Sequence, residues 1–161
     1  MKDVITSQYK SSLKMLMDVI EKCPDCVWED DAYENAYWRI VYHSLFYTAL
    51  YLSKGEHNFV PWTKHIKYYN NLGLLSHDKK PIIINTIYYK ADLMNYAKSI
   101  FNNLETMVTV DVDEDSGFYW LPMKKPELHI YNIRHMQHHI GQLIERLHQN
   151  GISGINWIER G

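Results

Sequence analysis

Five prolines, at positions 24, 61, 81, 122 and 126, divide the chain into a few long stretches that contain no proline at all. Proline removes a backbone donor and clashes with the preceding turn, so the interior of a long helix must lie between these positions. Four helices fit the spacing. The first runs from about Asp3 to Lys22, where Ile5, Tyr9, Leu13, Leu16 and Ile20 recur at three- and four-residue steps. The second runs from about Ala32 to Lys54, with Asp31 and Glu34 at capping-box spacing and Gly55 as a left-handed stop. The third covers about Lys90 to Val108 on a stripe of Leu93, Tyr96, Ala97, Ile100, Leu104 and Met107. The fourth opens at Pro126, in the first turn where proline is tolerated, and ends near Asn150 with Gly151 beyond it. One domain spanning residues 1–161 is expected, all-α, as a four-helix bundle with a long crossover connection between the second and third helices.

That connection, from Gly55 to about Tyr89, exceeds the usual loop length and so is expected to be a lid or a packed cover, with a short helix over Thr63–Tyr69. The second helix needs a cover. Ala36, Ile40, Tyr47 and Leu50 line one side, while Trp38, Val41, Leu45, Ala49 and Leu52 line much of the other. Either the connection folds over the outer side or a second subunit does, and a dimer contact is the favoured expectation. Gly141, costly inside the fourth helix, points to the close approach of another backbone or helix.

Charge narrows the partners. With 17 Lys plus Arg against 19 Asp plus Glu, the formal net charge is −2, so no broad basic field awaits nucleic acid. No apolar run approaches the roughly 20 residues of a membrane span, and Met1-Lys2-Asp3 does not open a signal peptide, so a soluble, cytoplasmic protein is expected. Cys23-Pro24-Asp25-Cys26 lacks the second ligand pair of a zinc knuckle and the strand-to-helix setting of a redox site. The acidic run Asp111–Gly117 lacks the later glutamate of a calcium loop and reads as a solvated turn.

Histidine carries the chemistry. His135 and His139 lie one turn apart on the fourth helix, about 40° apart in angle, on one border of the stripe Ile133, Met136, Ile140, Leu143, Ile144 and Leu147. His138 falls on the polar side. Such a pair can grip one metal ion, although neighbouring histidines also meet this way on ordinary helices. His43 sits on the core-facing side of the second helix among Ile40, Phe46, Tyr47 and Leu50. A buried imidazole needs a partner, either a backbone carbonyl or tyrosine hydroxyl, or a metal. Three neutral imidazoles from facing helices suit a divalent transition metal, zinc or nickel foremost with iron or copper possible, and leave a position open for water or substrate.

The segment Trp38-Arg39-Ile40-Val41-Tyr42-His43-Ser44-Leu45-Phe46 resembles the second-helix motif of the DinB-like (DNA-damage-inducible) metal-binding four-helix bundles. The stretch from Ser116-Gly117-Phe118-Tyr119-Trp120-Leu121-Pro122 through Tyr131-Asn132-Ile133-Arg134-His135-Met136-Gln137-His138-His139-Ile140-Gly141-Gln142-Leu143 is similar to that family's histidine-pair region. The resemblance implies a three-histidine site of His43, His135 and His139, and homodimers as a common state. Relatives include thiol-dependent transferases and isomerases, so the expected function is activation of a bound water or low-molecular-weight thiol for transfer to, or hydrolysis of, a small-molecule substrate. Tyr47, Trp62 and Trp120 are candidate pocket walls and Gln142 a candidate polar contact; no catalytic acid or base is named. The competing expectations are a non-catalytic dimer that the metal merely stabilises, and histidines that bind no metal.

Overall fold

Helix α1, Lys2–Lys22, buries Tyr9, Leu13, Leu16 and Ile20 on the stripe read from the sequence. A single-turn α2, Asp25–Trp28, follows Pro24; α3 spans Tyr37–Leu52, α4 Lys90–Met107 and α5 Lys125–Gln149, and a 3₁₀ turn occupies Glu56–Asn58. The computed structural model describes all of residues 1–161, and its regular elements are all helical, with two isolated β-bridges, Leu75 with Pro81 and Asp115 with Lys124. The fold class is all-α. Among the long helices, α1 packs on α4 and α5, and α3 packs on α5 and α4. The helix that carries His43 therefore lies directly against the helix that carries His135 and His139. No helix is long and apolar enough to cross a membrane.

Several local expectations are corrected. The second long helix starts at Tyr37 rather than Ala32, and its N-cap, Ala36, has no side-chain cap. The residues before it are used elsewhere. Asp30 turns back to accept from the Ala32 amide (2.9 Å), the Asn35 side chain accepts from the Gly73 amide (2.8 Å), and the Asn35 carbonyl accepts from Arg146 (2.8 Å). These bonds tie the approach to α3 onto the connection and α5 instead of winding it into helix. No helix forms over Thr63–Tyr69, which is a series of turns. Gly141 has open space around it, so no close approach explains it.

The close approach occurs at another glycine. Gly55 is extended rather than left-handed, and α3 is closed by Ser53, whose hydroxyl donates to the Leu50 carbonyl at 2.6 Å. Gly117, at φ +84°, runs so close to the Lys54 carbonyl and the Gly55 backbone that a Cβ there would collide with both, leaving no room for a side chain. Beside this crossing the fully buried Lys125 donates to the carbonyls of Ser53 (2.8 Å), Ser116 (3.2 Å) and Lys54 (3.3 Å). Its cation thus meets carbonyls just beyond the C-terminus of α3, where positive charge is favourable. The end of α3 and the start of α5 are fixed to each other.

The outer side of α3 is covered within the chain. Trp38 packs between Tyr69 (5.8 Å between ring centroids) and Tyr88 (5.5 Å), and Tyr42 meets Trp62 and Tyr88, all on the connection. That side does not call for a partner subunit. Of the two cysteines, Cys23 is buried at the end of α1 with its thiol pushed up to about 12, burial being the main cause, and Cys26 is exposed; both are free. A thiol held so far up is a poor nucleophile at neutral pH.

A core histidine not singled out in the sequence, His129, is wholly buried. Its Nε2–H donates to the Thr109 carbonyl (2.7 Å), and its Nδ1 accepts from the Tyr9 hydroxyl (3.1 Å). Both nitrogens are satisfied only when the ring is neutral, and burial lowers its pKa below the ordinary value. His65 is lowered by burial too. A group whose folded pKa is depressed takes up its proton more readily in the unfolded chain. Its stability contribution is therefore complete above the unfolded pKa of about 6.5 and is lost as the pH falls below it. Metal-free protein is expected to lose melting temperature steadily on acidification from neutral pH, as followed by circular dichroism. An unchanged melting temperature between neutral pH and pH 5 would contradict this reading.

Candidate metal centre

His43 projects from the middle of α3, and His135 and His139 project one turn apart from α5. The packing of α3 on α5 brings their three rings together, with centroids 5.0 Å apart for His43 and His135, 4.6 Å for His43 and His139, and 4.6 Å for His135 and His139. The Nε2 of His135 lies 3.1 Å from the Nε2 of His43 and 3.1 Å from the Nε2 of His139. All three ligand atoms lie within 4.8 Å of one another, so the group could hold a metal ion. Two nitrogens bound to one ion at the usual zinc–imidazole length stand about 2.9–3.3 Å apart, depending on the angle between the bonds. Both pairs that include His135 fall in that range.

The bonds on the far sides of the rings set which nitrogen faces inward. The Nδ1–H of His43 donates to the Asn70 backbone carbonyl at 2.7 Å, and the Nδ1–H of His139 donates to the Gln142 Oε1 at 2.8 Å. With the proton held on Nδ1, the Nε2 of each ring presents a lone pair to the shared space. The sequence reading of His43 offered a carbonyl partner or a metal as alternatives; here the carbonyl takes one nitrogen and leaves the other free to ligate. In the metal-free chain the Nε2–H of His135 can donate toward these two lone pairs. Its own Nδ1 is buried and has no hydrogen-bond partner. Two of the three rings thus carry the outer-shell acceptor typical of metal-bound histidine, and the third does not.

Electrostatics keep the rings ready to ligate. Burial, reinforced chiefly by the neighbouring His139, pushes the pKa of His43 down to about 3. Burial and the same neighbour push His135 down to about 4. Burial also lowers His139, against the opposing effect of its bond to Gln142. At neutral pH all three rings are neutral, the form that a metal requires. No thiolate or carboxylate joins the group. An all-nitrogen donor set of this kind fits a borderline transition metal far better than calcium or magnesium.

A cavity of about 530 Å³ opens beside His43 and His135, within the size range of small-molecule pockets. Tyr47 and Trp120 line it, whereas Trp62 and Gln142 do not. Trp62 lies in the aromatic cluster beneath the connection, stacked on Tyr96 at 5.0 Å with 5° between the rings. Gln142 serves the site from behind, since it accepts from His139 and lies 3.3 Å from the exposed His138 Nε2, to which its amide can donate. His138 is accordingly outside the ligand group. Replacing the amide by a hydrocarbon of similar shape, Gln142→Leu, frees His139 to change tautomer. Zinc affinity is expected to fall about 10–100-fold in a competition titration with a chromogenic chelator. Unchanged affinity would remove Gln142 from the site.

Sequence reasoning missed Asn70 and His77, both on the connection. Asn70 acts on His43 through its backbone, and its side-chain amide donates to the Tyr47 hydroxyl at 3.4 Å. That hydroxyl donates in turn to the His77 Nε2 at 3.0 Å, at the cavity edge. A backbone carbonyl leaves no mark on residue type, so nothing in the sequence marked Asn70 as a partner. His77 was a lone histidine in a loop. Set against family models, curated proteins and solved structures, the chain finds no match in any of the three comparisons.

Proposed function

We propose that His43, His135 and His139 bind one divalent transition metal, zinc or nickel foremost, in a metal-dependent enzyme of the thiol-dependent S-transferase or hydrolase type. On this reading the chain is a DinB-like four-helix bundle with its crossover between α3 and α4, works in the cytoplasm and acts as a homodimer on a small-molecule substrate. The observation that carries the proposal is the convergence of three Nε2 atoms beside a cavity, with two rings anchored outward through Nδ1. A bound metal would supply Lewis acidity, lowering the pKa of water or of a thiol at a position the protein leaves open. The chain's own part is to hold its ligands in one tautomer through Asn70 and Gln142, and to bound the reaction space with aromatic walls. A metal that served only to stabilise the fold would need no cavity at its side, and the cavity favours the enzyme over that alternative. The dimer rests on the family resemblance alone, and light scattering reads it directly.

The test loads the protein with zinc or nickel and presents a panel of low-molecular-weight thiols with a chromogenic electrophile, beside a panel of esters and amides. Turnover that disappears on chelation and returns on reloading is the expected result in one arm. Stoichiometric metal with no turnover in any arm would leave the metal site standing and remove the enzyme.

A further inference from the structure

The cavity beside the histidines has walls of one chemical kind. Phe46, Tyr47, Tyr51, Tyr119, Trp120 and Tyr131 form most of its lining, and no Lys, Arg, Asp or Glu is among its residues. The rings are braced against one another: Tyr51 meets Tyr131 at 5.7 Å between centroids, and Trp120 meets Tyr119 at 4.9 Å. Asn70, the Tyr47 hydroxyl and His77 form a hydrogen-bonded row in the lining, and the other polar atoms of the aromatic walls are uncharged hydroxyls and an indole N–H. At the inner end stand His43 and His135.

Such walls reject charge and reward planar apolar groups. A carboxylate, phosphate or ammonium on the ligand body would lose its hydration and find no ion partner in the lining, a cost that burial of an unpaired charge always carries. An aromatic ring instead gains edge-to-face and offset contacts with Tyr51, Trp120 and Tyr131. We infer that this pocket takes a substrate with two parts: a metal-binding head that reaches the histidine end and an uncharged aromatic body held by the Tyr51–Trp120–Tyr131 wall. The head rests on the metal-centre reading above, while the body rests only on the lining. Phosphorylated and polyanionic substrates are thereby excluded as the group seated in the cavity.

Hydroxamates separate the two parts, because one chelating head can be joined to different bodies. Calorimetry on zinc-loaded protein would compare acetohydroxamate, benzohydroxamate and 4-carboxybenzohydroxamate. Benzohydroxamate is expected to bind about tenfold more tightly than acetohydroxamate, the gain that a well-placed aromatic pair supplies. The ring carboxylate should abolish that gain. Trp120→Ala, at a partly exposed position, should reduce the ratio of the first two affinities while zinc content is unchanged, and Tyr51→Leu should act in the same direction. Equal affinities for the two uncharged hydroxamates, or tighter binding of the carboxylated one, would overturn the inference and leave the metal reading intact. Failure to load zinc would overturn the metal reading instead. In that event benzamide, which carries no strong chelating head, decides the wall by saturation-transfer NMR: signal lost in Trp120→Ala supports the aromatic body, and no signal in the wild type overturns it.

Discussion

His43→Ala is expected to lower metal affinity by about 10²-fold or more, since it removes a ligand outright where loss of an outer-shell partner alone costs 10–100-fold. His43 is the only ligand contributed by α3; the other two come from α5. Without it, His135 and His139 remain a pair one turn apart on a single helix, with nothing to fix the ion between two helices. The loss should also appear as stability. An ion bound only by the folded chain stabilises it by about 3–4 kcal/mol when present at 100–1,000 times its dissociation constant. For a domain of this size that corresponds to a rise of about 5–15 °C in melting temperature. Wild type should show this rise on adding zinc, and His43→Ala should show almost none. Equal rises in the two proteins would place the ion elsewhere.

The second large effect lies outside the site. Trp38 is almost wholly buried on the outer side of α3, held between Tyr69 and Tyr88 of the connection. Trp38→Ala should cost about 3–5 kcal/mol, the usual range for truncating a large core aromatic. The melting temperature should fall by about 10 °C or more. Next to it, Arg39 donates to the carbonyls of Asn71 (3.0 Å) and Gly73 (3.1 Å), so the strand of chain that Trp38 anchors is the one that carries Asn70. Loosening it withdraws the carbonyl that orients His43. Zinc affinity of the folded variant should drop by about tenfold as a result, the lower end of the outer-shell range. Trp38→Phe, which keeps a ring in the gap, should recover most of both losses. A variant with lowered stability and undiminished affinity would separate the connection from the site.

These two predictions differ in how far the sequence could foresee them. Helix periodicity and proline placement made α1, α4 and α5 legible almost to the residue, because apolar stripes and turn breakers are written in residue types. On α5 the helical angles set His135 and His139 apart from His138, and the structure brings the first two together with His43. The start of α3 was not legible: Asp31 and Glu34 had the right spacing, but Asp30 and Asn35 spend their side chains on turn and loop bonds. The cover of α3 was expected from a second subunit ahead of the connection, and the connection supplies it instead, since an apolar face reports that it is buried and not by what. Gln142 was read as a pocket contact, and its place behind His139 follows from a side-chain direction that spacing on the helix did not resolve. Asn70 acts through a main-chain oxygen, which every residue has.

The central claim is that the three histidines hold a metal, and the most direct test is elemental analysis of protein purified without a metal-affinity column. One equivalent of zinc, nickel or a related ion per chain is predicted, removed by a strong chelator with a fall in melting temperature and restored on reloading. A chain that carries no metal, takes up none from excess zinc or nickel, and melts at the same temperature with and without chelator would contradict the account.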